Sequence, residues 1–255
     1  MQVATLGRSL RLSIGMLTAL RVPPVLTVSP ALATGALLLA PLAVLPLGVT
    51  LGAVLWLGGR LDLPAPAVAF AALAALAAGS RALHLDGLSD VADGLTASYD
   101  RERSLQVMKS GTAGPAGVAA LVLVLGAQAS ALTWFVGPDG DLGAAVTAGA
   151  LVCASRGALW IIGASAVPPA RTDGLGATFT RRVPLAVAVL GWIGLAALAT
   201  VVDPVRGPIT VLVAALAVIA LVRRAVTRFG GVTGDVMGAG IEIAFAVLLI
   251  GLAGA

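Results

Sequence analysis

Gly117-Val-Ala-Ala-Leu-Val-Leu-Val-Leu-Gly-Ala-Gln-Ala-Ser-Ala-Leu-Thr-Trp-Phe-Val136 runs for twenty residues without a charge. At about 1.5 Å per residue, a helix of that length matches the ~30 Å hydrocarbon core of a bilayer. Working outward, further apolar runs lie at roughly 31–57, 64–79, 142–167, 183–201, 208–222 and 239–255. The first contains Pro41 and Pro46, which would bend it, either within one span or into a hairpin. The pattern predicts an all-α, polytopic integral membrane protein of about seven transmembrane helices. Composition agrees, because 59% of residues are hydrophobic and 11% are charged. A soluble domain needs roughly a quarter of its residues charged. The same figures exclude a disordered chain.

The basic residues set an orientation. With the N-terminus inside, the cytoplasmic side takes Arg8, Arg11, Arg21, Arg81, Arg101, Arg103, Lys109, Arg171, Arg181, Arg182, Arg223, Arg224 and Arg228. The other side keeps Arg60 and Arg206, while Arg156 falls inside a span, where it could pair with an acid for structure alone. This alternation favours reading 31–57 as one span. Residues of about 5–21 carry Arg8 and Arg11 before a short apolar stretch, which suits an interfacial amphipathic helix. The single cysteine, Cys153, excludes an internal disulfide and a cysteine metal cluster. No repeat or linker divides the chain, so residues 1–255 read as one membrane domain. The small-residue composition of its helices would also permit a homo-oligomer.

The longest polar segment, about 80–116, reads as the main catalytic loop on the cytoplasmic face. Asp86, Asp90 and Asp93 are spaced i, i+4, i+7, so a helix carries all three on one face, with Leu85, Leu88, Val91 and Leu95 opposite. Like charges at this spacing repel, and no basic residue lies between Ala82 and Asp100. A divalent cation, Mg²⁺ above all, would relieve the repulsion through carboxylates, waters and substrate phosphate oxygens. Gly87 and Gly94 flank the stripe and would leave room for a large substrate. Arg101, Arg103 and Lys109 could hold a diphosphate. The alternative is a solvated helix whose polar face happens to be acidic.

Two more clusters share that face. Lys109-Ser-Gly-Thr-Ala-Gly-Pro-Ala-Gly117 suits the presentation of backbone N–H groups from Gly114 and Gly117 to an anion, or is a flexible turn. Asp235 and Glu242, seven apart, would share one helix face, and acids in a membrane helix are functional candidates. His84 is the only histidine, so a histidine metal site or a Ser-His-Asp triad has little to build on.

His84-Leu-Asp-Gly-Leu-Ser-Asp-Val-Ala-Asp93 resembles the His-Leu-Asp-Gly-Leu-x-Asp-x-x-Asp signature of the cobalamin synthases, the adenosylcobinamide-GDP ribazoletransferases. Gly231-Val-Thr-Gly-Asp-Val-Met-Gly-Ala239, followed by Glu242, is similar to that family's Thr-Gly-Asp-x-x-Gly-Ala motif. Leu17-Thr-Ala-Leu-Arg-Val-Pro23 and Gly174-Leu-Gly176 are weaker matches. After Lys109 the family commonly carries an acid or arginine, where this chain has Ser110-Gly-Thr-Ala-Gly114.

The resemblance implies transfer of the adenosylcobinamide-phosphate moiety of adenosylcobinamide-GDP to α-ribazole, or its 5′-phosphate, with release of GMP. It implies a bacterial inner-membrane enzyme with Mg²⁺ as cofactor and no nucleic-acid partner. Asp86, Asp90, Asp93, Asp235 and Glu242 are then expected around the metal, with Asp90 or Asp93 activating the ribose hydroxyl. His84, Arg101, Arg103, Lys109, Gly114, Gly117, Thr233 and Gly234 are expected to contact substrate or phosphate. A CDP-alcohol phosphotransferase is the nearest alternative, since Asp90-Val-Ala-Asp-Gly94 matches the start of its signature, but the Ala-Arg and later acids are absent. A cation-coupled transporter is disfavoured because most acids fall at span ends rather than mid-membrane.

Overall fold

The computed structural model describes residues 3–137 and 139–254, which form fourteen α-helices. No strand occurs among the described residues beyond two isolated bridges, Ala164 with Val183 and Pro169 with Val232. The N-terminal helix α1 (Val3–Leu17) carries the amphipathic pattern expected for about 5–21. It ends four residues early, ahead of the Pro23-Pro24 pair that no helix continues through.

The charge-free stretch expected as one span at 31–57 is broken into α2 (Pro30–Leu38), α3 (Ala40–Ala43) and α4 (Leu45–Arg60). Pro41 and Pro46 sit in the first turns of α3 and α4, where a missing N–H costs nothing but the preceding helix must stop. Ser29 caps α2 by accepting the N–H of Leu32 at 3.3 Å.

Next come α5 (Ala65–Gly79) and α6 (Leu83–Ala97), bent by 93° at Arg81 and Ala82, both left-handed with φ of 58° and 53°. Arg81 is tied down there by donation to the Gly15 carbonyl at 2.9 Å. The bend turns the aspartate-bearing α6 out of the line of α5.

The remaining helices are α7 (Arg101–Val107), α8 (Pro115–Leu132), α9 (Leu142–Ser155), α10 (Ala158–Ile162), α11 (Gly174–Phe179), α12 (Leu185–Ala199), α13 (Arg206–Phe229) and α14 (Gly234–Leu252). Four segments are long and apolar enough to cross a membrane: Pro115–Phe135, Leu142–Ile162, Arg206–Phe229 and Gly234–Leu252. Counting the bent α5–α6 pair makes five. The expected count of about seven is not confirmed; α4 and α12 are apolar but shorter. The prolines divide the first run, and α5 and α12 are 15 residues each. α13 runs past the expected end at Val222 to Phe229, with Arg228 in its last turn and Gly230 (φ 75°) as its left-handed cap.

α14 is the hub, buried on nearly every face and packed against α6, α8, α9, α10 and α13. A helix apolar all round belongs inside a bundle, and this one is inside. On the far side, α4 crosses α9 where a Cβ on Gly48 would stand 2.5 Å from the Gly149 carbonyl oxygen. Gly48→Leu is expected to destabilise the detergent-solubilised protein by about 1–3 kcal/mol through overpacking at that crossing. Gly126→Ala on α8, where an added Cβ meets nothing, should be neutral or stabilising by up to ~1 kcal/mol. Thermal unfolding of the two variants beside the parent checks both.

Candidate active site

Three of the acids expected together do converge. α6 and α14 make the most extensive helix interface in the molecule. They approach because Gly87 lies against the Asp235 backbone, where a Cβ would come within 2.6 Å of the Asp235 carbonyl. Gly238 likewise faces the His84 backbone. Gly87 thus serves helix packing rather than substrate access, and Gly94 does the same against Met108 and Phe229. The contact sets Asp235, in the first turn of α14, beside Asp86 and Asp90. Asp86 is exposed and Asp90 half-buried. Thr233 donates its hydroxyl to Asp235 Oδ2 at 3.0 Å. Burial, then the neighbouring carboxylates of Asp86, Asp235 and Asp93, push the Asp90 pKa up to about 6.

Asp93 has a different task. It is buried, with Oδ2 accepting the Gly114 N–H at 2.7 Å and Oδ1 the Gly117 N–H at 2.8 Å. The anion held by the glycine turn at the start of α8 is therefore the chain's own carboxylate. Neither Gly114 nor Gly117 has room for a side chain beside it. The expectation that these N–H groups meet substrate is corrected, and both Asp93 oxygens are already committed.

Glu242 is also displaced from the expected set. Two helical turns beyond Asp235, about 10 Å deeper, it is buried and accepts Gln128 Nε2 at 2.9 Å. His84 Nδ1 lies 3.8 Å from its other oxygen. Arg156, fully buried at the α9–α10 junction, donates to the Val152 carbonyl at 2.8 Å and Ser155 Oγ at 2.9 Å and stands within Coulombic reach of Glu242. His84 and Glu242 thus belong to an interior polar cluster joining α6, α8, α9 and α14, away from the open carboxylates.

A cavity of about 270 Å³ adjoins Asp235, walled by Lys109, Arg171, Asp173, Gly174, Gly176, Thr233 and Gly234. Lys109, Thr233 and Gly234 were expected here. Arg171 was not singled out, although it stands three residues before the Gly174-Leu-Gly176 motif that the sequence displays. It is held by donation to the Leu105 carbonyl at 2.7 Å. Arg101 instead fastens loops, donating from Nε to the Phe229 carbonyl and from a terminal nitrogen to Ala170, both at 2.7 Å. Arg103 is exposed on α7 and lines no part of this cavity.

Among the described residues no three His, Cys, Asp or Glu side chains stand together at metal-ligating geometry. A pair of carboxylates such as Asp86 and Asp235 nevertheless suits Mg²⁺, which takes one or two carboxylates and completes its shell with water and phosphate oxygens. Burial first, and the neighbouring carboxylates after it, raise the Asp90 pKa, while Arg171 acts on Asp235 from the other side.

The pocket thus sets Lys109 and Arg171 beside Asp173 and Asp235. Residues 9–253 match the family model described as cobalamin-5-phosphate synthase. The chain belongs to that family. A relative from a Nocardioides species, named adenosylcobinamide-GDP ribazoletransferase, is 54% identical over 240 residues, covering 94% of this chain and 96% of its own length. Relatives of the same name from Bradyrhizobium diazoefficiens (35% identical, 82% of this chain and 79% of theirs) and Pseudomonas aeruginosa strain PAO1 (36%, 81% and 83%) are similar. No solved structure matches this family member.

Asp90 and Asp93 should separate by stability. In the folded chain Asp90 keeps its proton to about pH 6, and in the unfolded chain it loses it near 3.8. Its contribution therefore falls as pH rises from about 4 to about 6 in EDTA. Asp90→Asn is expected to remove that fall and to raise the melting temperature above pH 6. Asp93→Ala, which strips two charge-assisted hydrogen bonds, should cost about 3 kcal/mol or more at neutral pH. Melting curves from pH 4 to 8 decide both. For the interior cluster, Glu242→Gln and Arg156→Met should each cost about 3–5 kcal/mol, with the double variant well short of their sum. Additive losses in that cycle would mean the two charges do not interact.

Proposed function

We propose that this chain transfers the adenosylcobinamide-phosphate moiety of adenosylcobinamide-GDP to α-ribazole or its 5′-phosphate, releasing GMP, at the cytoplasmic face of a bacterial inner membrane. The observation that carries this reading is the open carboxylate group of Asp86, Asp90 and Asp235 beside the Lys109–Arg171 pocket in a chain of this family. The thirteen-to-two partition of basic residues supports the orientation, with the N-terminus inside.

The reaction forms one bond, from a ribazole hydroxyl oxygen to phosphorus, and breaks one, from that phosphorus to the oxygen that leaves with GMP. Asp90 is the proton acceptor for the attacking hydroxyl. A carboxylate near pKa 6 is a better base than an ordinary one and is still ionised at neutral pH. Asp93 is unsuited to that role with both oxygens bound to backbone N–H groups. Lys109 and Arg171 bind the diphosphate, with Thr233 and Gly234 along the pocket wall. Mg²⁺, held by Asp86 and Asp235, would screen the charge that develops on the phosphate oxygens. Positioning and charge neutralisation together are what such a displacement requires.

The test is GMP release by detergent-purified protein given adenosylcobinamide-GDP, α-ribazole and Mg²⁺, against an EDTA control. Release with a cobalamin product is expected only when all are present. Asp86→Asn and Asp90→Asn are expected to lower kcat by roughly 10²–10³-fold. Arg171→Ala should act mainly on KM. Wild-type turnover in Asp90→Asn, or CMP release from a CDP-alcohol without GMP release, would overturn the assignment.

A further inference from the structure

Away from the carboxylates lies a groove of about 890 Å³ between α10, α12 and α13. Its walls are apolar along almost their whole length, with Trp192 and Ala188 from α12 facing Val211 and Ala215 from α13. Leu185, Val189, Ile193 and Leu212 stand exposed at its rim, as lipid-facing side chains do. Along α13 the lining runs from Val211 to Thr227, about 24 Å at 1.5 Å per residue. That exceeds half the ~30 Å hydrocarbon thickness, so one acyl chain fits lengthwise from the interface past the midplane.

The only charge in the lining is at one end. Arg223 sits there with Thr227 one turn on, and the guanidinium makes no hydrogen bond or ion pair among the described residues. This is the end of α13 that also bears Arg224 and Arg228, on the side where anionic lipid is drawn to basic residues. We propose that the groove binds a phospholipid of anionic headgroup, its phosphate on Arg223 and an acyl chain between α12 and α13; the Thr227 hydroxyl stays on the Arg223 carbonyl at 2.9 Å. The groove also takes in Val167 and Pro168, which lead directly into Ala170 and Arg171, so a seated lipid buttresses the segment that carries the pocket arginine. The two cavities share no lining residue, so lipid binding can be read apart from the transfer reaction.

Trp192 is a built-in reporter, buried against the groove with its indole N–H held by the Gly157 carbonyl at 3.1 Å. Its fluorescence should be quenched by phosphatidylglycerol brominated on its acyl chains, titrated into nanodiscs of unlabelled phosphatidylcholine containing the full chain. Saturation at a low mole fraction is expected, and brominated phosphatidylcholine should need about fivefold more. Arg223→Gln should erase that fivefold preference, the ratio that about 1 kcal/mol per basic residue at an anionic surface gives. Ala215→Phe, which fills the groove while leaving Arg223, should abolish saturable quenching, and Trp192→Phe identifies the signal. A parallel melting curve for each variant shows that it is folded. Equal quenching by the two lipids in the parent protein, or an undiminished preference in folded Arg223→Gln, would overturn the proposal whatever the result of the GMP assay.

Discussion

α6 can lie against α14 only because neither helix carries a side chain where they cross. Gly87 meets the backbone of Asp235, and Gly238 meets the backbone of His84. A Cβ at Gly87 would stand 2.6 Å from the Asp235 carbonyl oxygen, and one at Gly238 3.0 Å from the His84 Cα, so the helices would have to move apart. Within a membrane this close approach is driven by packing rather than by expulsion of water, so small residues at the crossing are the condition for it. From that one contact follow the nearness of Asp235 to Asp86 and Asp90 and the depth at which Glu242 meets His84. The bend at Arg81 and Ala82 gives α6 the angle to make it.

Charge is then sorted by depth. The acids that go inside are matched, Asp93 by two backbone N–H groups and Glu242 by Gln128 with Arg156 nearby. An isolated carboxylate at either position would cost several kcal/mol, which is why these partners are built into the fold. The acids that remain without a partner cation are the ones at the open face. Their mutual repulsion is tolerable where water reaches them.

Much of this was legible in the residues. The i, i+4, i+7 spacing placed three aspartates on one helix, and the structure forms that helix over Leu83–Ala97. The all-α membrane class followed from the apolar runs and the shortage of charge. The pattern could not say which of the three aspartates turns inward, because that depends on α8 arriving with Gly114 and Gly117 toward Asp93. A seven-residue step from Asp235 to Glu242 keeps one face but also descends two turns, and a helical wheel hides the descent. Arg101 and Arg171 look alike in sequence. Only the folded loops show that one is spent on carbonyls of Phe229 and Ala170 while the other lines the pocket. The span count is not settled by hydropathy, which does not register where Pro41 and Pro46 restart a helix or that α12 is only 15 residues long.

The pairing of α6 with α14 also has a consequence for how the protein is made. About 140 residues separate the end of one helix from the start of the other. At the ~5–20 residues per second of bacterial synthesis, α6 waits on the order of ten seconds before its partner exists. During that interval Gly87 has no helix to lie against, and the slot that α14 will fill stays open in the bilayer. The nascent chain thus holds the Gly87 face of its acidic helix uncovered, with α8 alone in place at Asp93, so enzymatic competence arrives in one step with α14 rather than accumulating span by span.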